Sequence, residues 1–286
     1  MLKREVIDPC GVPQSSTCQI PAKYQGGLPG NTDNQVAEQV ALTFVNYLPA
    51  VLSDGESGSA LAVQQNVSNA NYIQVLNTAG LWSAVSSGTV AGASGDVNAI
   101  VIGQDGKVYI GGAFATASGV ANTSRVAYYD PTDGLFHAMG TGALDNSVNY
   151  LAITSDGTLY AAGSFTQMGG IANTNSIAKW NGSAWSAVGT GATTGTGILA
   201  MAVDGSNNLY VGGTFTGMGG VANTTRLAVW NGSAWAALST GANGTVRALA
   251  TSPNGTLYIG GDFGTLGGVT AAFVGSWSGS AFSGMG

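Results

Sequence analysis

The chain has 286 residues, a formal net charge of −6 and only 8% charged side chains, against roughly 25% in an average globular domain. Eight Lys and Arg residues cannot supply the clustered cations that phosphate backbones need, so nucleic acid is excluded as a partner. The 46 glycines suggest disorder, but regularly spaced Val, Ile, Leu, Trp, Tyr and Phe beyond residue 70 supply core material that disordered chains lack.

The opening stretch, MLKREVIDPCG, carries basic residues without the apolar run of a secretory leader. No uncharged apolar stretch reaches the roughly 18 residues of a membrane span, so no membrane insertion is expected. Residues 1–35 are polar, rich in Pro, Gly, Gln and Ser, and without period; they read as an extended N-terminal arm. Pro9, Pro13, Pro21 and Pro29 keep that arm extended, and Leu2, Val6, Ile7, Val12, Ile20 and Tyr24 are its apolar anchors for an assembly. Cys10 and Cys18, the only cysteines, form either a small disulfide loop or two thiols; without histidine neighbours they do not make a zinc site.

Residues 36–69 read as a short helix and a linker. Val36, Val40, Phe44 and Leu48 recur at near-helical spacing, Asp33 or Asn34 can cap the start, and Pro49 ends or kinks it. The competing reading is a strand pair of the domain that follows. Residues 72–88, YIQVLNTAGLWSAVSSG, then match the second half of a repeat whose full copies occupy about 96–145, 146–195, 196–244 and 245–286.

Those four copies agree in three aromatic series. Tyr109, Tyr160, Tyr210 and Tyr258 are separated by 51, 50 and 48 residues, and Phe114, Phe165, Phe215 and Phe263 keep the same steps. Phe136, Trp185, Trp235 and Phe282 form the third series. Each copy reads as four short strands separated by Asp-Gly, Asn-Gly or similar turns, which accept positive φ. A period near 50 with four strands predicts an all-β fold, a β-propeller of four-stranded blades over residues 70–286. The half repeat leaves the number at four to five blades: either residues 57–68 supply missing strands of a fifth blade, or the half repeat packs as a partial one.

The repeats resemble the kelch-like and galactose-oxidase-type propeller families, which carry a Gly-Gly pair after the second strand, then Tyr-Asp, then Trp. The first copy has Gly111-Gly112, Tyr129-Asp130 and Phe136; the third has Gly212-Gly213, Trp230-Asn231 and Trp235. The fourth has Gly260-Gly261, Trp277 and Phe282, and the second departs with Ala162-Gly163. The resemblance implies fold rather than activity.

Candidate functional residues are few. His137 is the only histidine and lacks a nucleophile in a recognisable motif; a surface or wedge-filling role is expected. Asp105, Asp156, Asp204 and Asn254 recur at hairpin turns and read as turn chemistry. Asp262 is a single acid, where glycosidases need two. The Ala-Asn-Thr motif at Asn122, Asn173 and Asn223 is the one candidate binding loop, with loop capping as its competing role; Ala271 breaks it in the fourth copy. No catalytic residue, metal site or cofactor is expected, and no enzyme activity.

Gly/Asn/Thr-rich propeller repeats of this kind resemble those of phage virion appendages and bacterial surface proteins. The resemblance implies a virion structural protein, a head or tail fibre or decoration subunit. Such a subunit would join other virion proteins through the arm, show a propeller to host-surface glycan, and form a homo-oligomer. The alternatives are a secreted or cell-surface carbohydrate-binding propeller and an enzyme of unrecognised mechanism.

Overall fold

A computed structural model describes residues 92–286 except 144, 195, 196 and 286, together with the backbone of three strands further upstream. The arm with its six anchors, the expected helix and both cysteines lie outside the described residues. The upstream strands are β1 (Ala60–Val63), β2 (Ile73–Leu76) and β3 (Trp82–Ala84), paired antiparallel in that order. Four four-stranded antiparallel sheets follow.

The first blade is β4 (Val97–Ile102), β5 (Val108–Gly112), β6 (Val126–Asp130) and β7 (Leu135–Ala138). The second is β8 (Val148–Ile153), β9 (Leu159–Gly163), β10 (Ile177–Trp180) and β11 (Trp185–Ala187). A short β12 (Ala192–Thr194) precedes the third blade, which is β13 (Ile198–Val203), β14 (Leu209–Gly213), β16 (Leu227–Trp230) and β17 (Trp235–Ala237); β15 (Gly217–Met218) pairs back to β12. The fourth is β18 (Val246–Thr251), β19 (Leu257–Gly261), β22 (Val274–Trp277) and β23 (Phe282–Gly284), with a small hairpin of β20 (Thr265–Leu266) and β21 (Val269–Thr270) between its second and third strands. The described residues are thus all β, and each blade is a simple meander.

The equivalence of the blades is residue by residue. Gly112, Gly163, Gly213 and Gly261 lie opposite Val97, Val148, Ile198 and Val246, and each first strand carries a bulge after that pair. A bulge there sharpens the twist of the innermost strand. Glycine is required by proximity: a Cβ on any of the four would overlap the backbone carbonyl of Asp96, Ser147, Gly197 or Thr245.

First strands neighbour one another in chain order, β4 beside β8, β8 beside β13 and β13 beside β18. They therefore line a common axis, as in a propeller. Among the described residues the close packing of first strands runs in chain order from β4 to β18. In β1–β3, Trp82 lies opposite Leu76 just as Trp185 lies opposite Trp180. The upstream sheet thus has the register of the second, third and fourth strands of a blade. Its first strand falls within residues expected as linker, where the fifth-blade reading needs one.

Side chains of neighbouring blades interlock. Each blade has a trailing side, toward the next blade, and a leading side, toward the one before. Tyr160, Ile177 and Val188 on the trailing side of the second blade pack with Ile198, Leu209, Phe215, Met218 and Trp235 on the leading side of the third. The first–second and third–fourth junctions repeat the scheme with Tyr109, Val126 and Met139, and with Tyr210, Leu227 and Leu238. Trp185 and Trp235 are buried, and each donates its indole N–H across the junction, to the Met139 carbonyl at 2.7 Å and the Val188 carbonyl at 2.8 Å. They are wedge residues, as the aromatic series implied.

Candidate functional site

The loop between second and third strands is built the same way in the first three blades. A tight, positive-φ turn, Ser118-Gly119, Gly169-Gly170 or Gly219-Gly220, delivers the chain to Val120, Ile171 or Val221. Two residues later Asn122, Asn173 and Asn223 adopt φ of 60, 60 and 61°. Asn tolerates this left-handed region far better than most residues, so the conformation alone accounts for its presence.

The next residue holds the loop. Thr123, Thr174 and Thr224 are buried. Their Oγ1 atoms accept from the backbone N–H of Ala117, Met168 and Met218 at 2.7, 2.8 and 2.8 Å. The same hydroxyls donate to the carbonyls of Val120, Ile171 and Val221 at 2.6, 2.7 and 2.7 Å. One hydroxyl therefore satisfies a buried donor and a partly buried acceptor. The asparagine side chains are left exposed beside the half-exposed Ile171 and Val221. Within one motif, Thr carries the capping and Asn presents its amide to solvent.

The neighbouring connection braces this loop. Asp145 accepts from the Thr166 N–H at 2.9 Å and from the Thr166 hydroxyl at 2.5 Å; Asn243 accepts from Gly264 N–H at 2.8 Å and Thr265 N–H at 2.9 Å. Ser94 accepts from Ala115 and Thr116 in the first blade. Desolvation opposes the Asp145 charge, but its Thr166 hydrogen bonds outweigh it and hold the pKa below the ordinary value. On the next loop position, Arg125 Nη1 donates to the Ala143 carbonyl at 3.0 Å and Arg226 Nη1 to the Ala242 carbonyl at 3.4 Å, tying each loop to the connection toward the next blade.

The fourth blade departs. It is one residue shorter here; Ala271 sits buried at the Thr position, and the β20–β21 hairpin takes over. Among the described residues the presented amides number three, one in each of the first three blades. Their Thr partners were legible in the sequence only as part of the motif, since nothing in the spacing says which of two adjacent polar residues turns inward.

The other candidates are engaged in local hydrogen bonds, a ring stack and an ion pair. His137 Nε2 lies 2.9 Å from Asp133 and its ring stacks on Tyr128, 4.9 Å between centroids. Asp105 and Asp156 sit at equivalent turn positions with Asn254, but Asp204 does not: it stands two residues earlier, where the second and fourth blades have Thr154 and Ser252. Asn207, φ 63°, supplies the left-handed residue that Gly106, Gly157 and Gly255 supply elsewhere. Asp204 accepts from the Tyr210 hydroxyl at 3.2 Å and Asp105 from Tyr109 at 3.3 Å. Burial first, and then these carboxylates, push both phenols up to about 12. Asp262 forms an exposed ion pair with Arg247. Among the described residues no three His, Cys, Asp or Glu side chains group to hold a metal.

No protein-family model matches the chain, and no curated protein matches its sequence. Solved structures share a distant likeness. A gluconolactonase of Xanthomonas campestris aligns with 73% of this chain and 66% of its own at 14% identity, TM-score 0.43. The extracellular domain of a hybrid two-component system of B. thetaiotaomicron aligns with 72% of this chain at 11% identity, TM-score 0.47, and a YCF48 structure bound to a D1 peptide with 74% at 11%, TM-score 0.42. This chain spans 25% of the Bacteroides protein and 61% of YCF48. The blade-by-blade register, rather than these likenesses, carries the assignment: the class is a β-propeller-like repeat protein.

Proposed function

We propose that the chain is a non-catalytic display protein of a virion, a fibre or decoration subunit. In this reading its kelch-like blades present one recognition loop three times to host-surface glycan, and its N-terminal arm joins other virion proteins. The observation that carries the reading is the triplicate loop: Asn122, Asn173 and Asn223, each exposed at the same φ and each fixed by a buried Thr. Amide groups beside small apolar residues suit the mixed polar and apolar faces of sugars. Repeating one weak site on a rigid frame multiplies its effect through local concentration. The carboxylates Asp105, Asp145, Asp156 and Asp204 each accept from backbone N–H groups, a use that fits scaffold rather than proton transfer. A secreted or cell-surface lectin would use the same loop without needing residues 1–35.

Replacing Asn122, Asn173 and Asn223 together by Gly keeps the left-handed backbone and removes only the amides. Glycan-array binding should vanish while the melting temperature holds. Unchanged glycan binding by the triple variant sinks the recognition loop. Deleting residues 1–35 should abolish incorporation into particles and leave glycan binding intact; normal incorporation removes the virion reading and leaves the lectin.

A further inference from the structure

The loops that carry Asn122, Asn173 and Asn223 are joined to one another by a backbone ladder that crosses each blade junction. Between the first and second blades the Ala143 N–H donates to the Ser124 carbonyl at 3.3 Å, two residues beyond Asn122. Ala143 pairs antiparallel with Met168, and Met168 with Ile171, two residues before Asn173. Between the third and fourth blades the same ladder runs from Thr225 through Ala242 and Leu266 to Val269. Between the second and third, Ala192 pairs with Met218 and Met218 with Val221, and the Asn175 side-chain amide donates to the Ala192 carbonyl at 3.2 Å. Three steps at the ordinary spacing of paired strands put successive loops roughly 14 Å apart. That spacing belongs to the frame rather than to the loop tips.

The surface over the ladders is low. Thr141, Thr190 and Thr240 are exposed in the middle of the connections, and a Cβ added at Gly119, Gly170, Gly220 or Gly268 would have no atom within 4 Å. Each ladder ends on an exposed aliphatic tip: Ile171, Val221 and Val269 are 40, 36 and 40% exposed. The junctions thus share an amide, a hydroxyl, bare backbone and an aliphatic tip. They share no charge, because Arg125 and Arg226 serve the first and third junctions while Ser176 holds that position in the second. The fourth blade keeps the tip, Val269, although its loop has Ala271 where the motif breaks.

We propose that these loops form one continuous track, along which a single linear, neutral polysaccharide lies across successive blades. The proposal rests on the glycan reading given above. A row of like groups at a fixed step suits a ligand that itself repeats. The step is longer than one sugar ring, so a short sugar engages one loop and a chain engages several. Sugar hydroxyls pair with the amides and the Thr hydroxyls, and the C–H faces of the rings lie on the aliphatic tips. No cation recurs along the row to select an acidic sugar. Once one loop is engaged, the next segment of the same chain is held close to the next loop, which raises affinity without a new kind of contact.

The test is isothermal titration of the full chain with neutral glucan, mannan and chitin oligosaccharides, graded from disaccharides to chains long enough to cross several blades, with polygalacturonate as the acidic control. For the polymer that binds, affinity should rise roughly tenfold or more once the chain reaches from one loop to the next, and one long chain should saturate one protein molecule. Val269→Asp, at the end of the row, should lower the affinity for long chains by a larger factor than that for the disaccharide. Affinity independent of chain length, saturation by several long chains per molecule, or tighter binding of polygalacturonate overturns the track while leaving separate sites on the loops. A Val269→Asp protein that binds long chains as the native protein does also overturns it. Failure of the native protein to bind any of the panel overturns the track and the recognition reading together.

Discussion

The first three blades and the fourth share strands, register and turn geometry, yet the same repeat position has opposite fates in them. Tyr109, Tyr160 and Tyr210 are buried, and Tyr258 is not; Leu227 is sealed in a junction, and Val274 faces outward. The strands that carry them are hydrogen-bonded identically. Burial here is a property of the junction between blades rather than of the blade. Stability in such an array is approximately a sum of repeat terms and nearest-neighbour terms, so equivalent substitutions should differ in cost by whether a next blade covers them.

The largest contrast is expected at the aromatics. Trp235→Ala empties the second–third junction and leaves the Val188 carbonyl without its donor, and should cost about 3–5 kcal/mol; Trp185→Ala should match it. Tyr258→Ala should cost less than about 1 kcal/mol, because its ring is exposed. Denaturant titration of the variants compares them directly. Equal losses at Trp235 and Tyr258 break the comparison.

The aliphatic pair sharpens it. Leu227→Ala and Val274→Ala remove side chains from equivalent ladder positions. The first should lose about 2–5 kcal/mol and the second, exposed in the structure, stay within about 0.5 kcal/mol. A substantial loss at Val274 means that the face of the fourth blade is covered in solution.

The loop contrast is smaller. Thr174→Val or Thr224→Val keeps the shape and strands a buried N–H, that of Met168 or Met218, at about 1–3 kcal/mol. Ala271→Thr in the fourth blade should gain nothing, because the hairpin there has already paired β20 with β21. Thermal melts of the three variants suffice. Stabilisation by Ala271→Thr would show that the shortened loop still holds the hydroxyl's partners in place.

Much of this was legible in the sequence because the repeat states it four times. Tyr, Phe and Trp series in step fixed the blade period, and Gly112, Gly163, Gly213 and Gly261 marked where the second strand meets the backbone of the connection before it. What escaped was whatever a single copy changed. Asp204 looks like one of the turn acids, but a turn without Gly at its left-handed position lets Asn207 serve there and displaces the acid by two residues. Ala271 was visible as a broken motif, whereas the missing residue beside it shows only once the strands are paired. Phe273 belongs to none of the aromatic series, and only the paired strands place it at the position of Arg125, Ser176 and Arg226, where it is exposed. The strand at Ala60–Val63 falls within residues 57–68, which one of the two sequence readings offered for the missing strands of a fifth blade.

The smallest expected effect concerns acid. Asp156 accepts from the Thr154 hydroxyl at 2.5 Å and from Thr158 N–H at 3.0 Å. These bonds, the Thr154 hydroxyl foremost, hold its pKa below the ordinary 3.8. The unfolded chain titrates near the ordinary value, about 3.9. A depressed folded-state pKa means a contribution that is complete above the unfolded value and lost as pH falls through the folded one. The fourth blade has Asn254 at this position, accepting from the Ser252 hydroxyl and Thr256 N–H, and an amide does not titrate. Asp156→Asn should therefore cost less than about 1 kcal/mol at pH 7, and that difference should shrink between about pH 4 and pH 2 as the native carboxylate takes up its proton. Asn254→Asp should do the converse and make the fourth blade's turn acid-sensitive. Urea titrations of the three proteins at pH 7, 4 and 3 read both effects, and a gap between native and Asp156→Asn proteins that stays constant with pH rules out the charge as the source of the turn's preference for Asp.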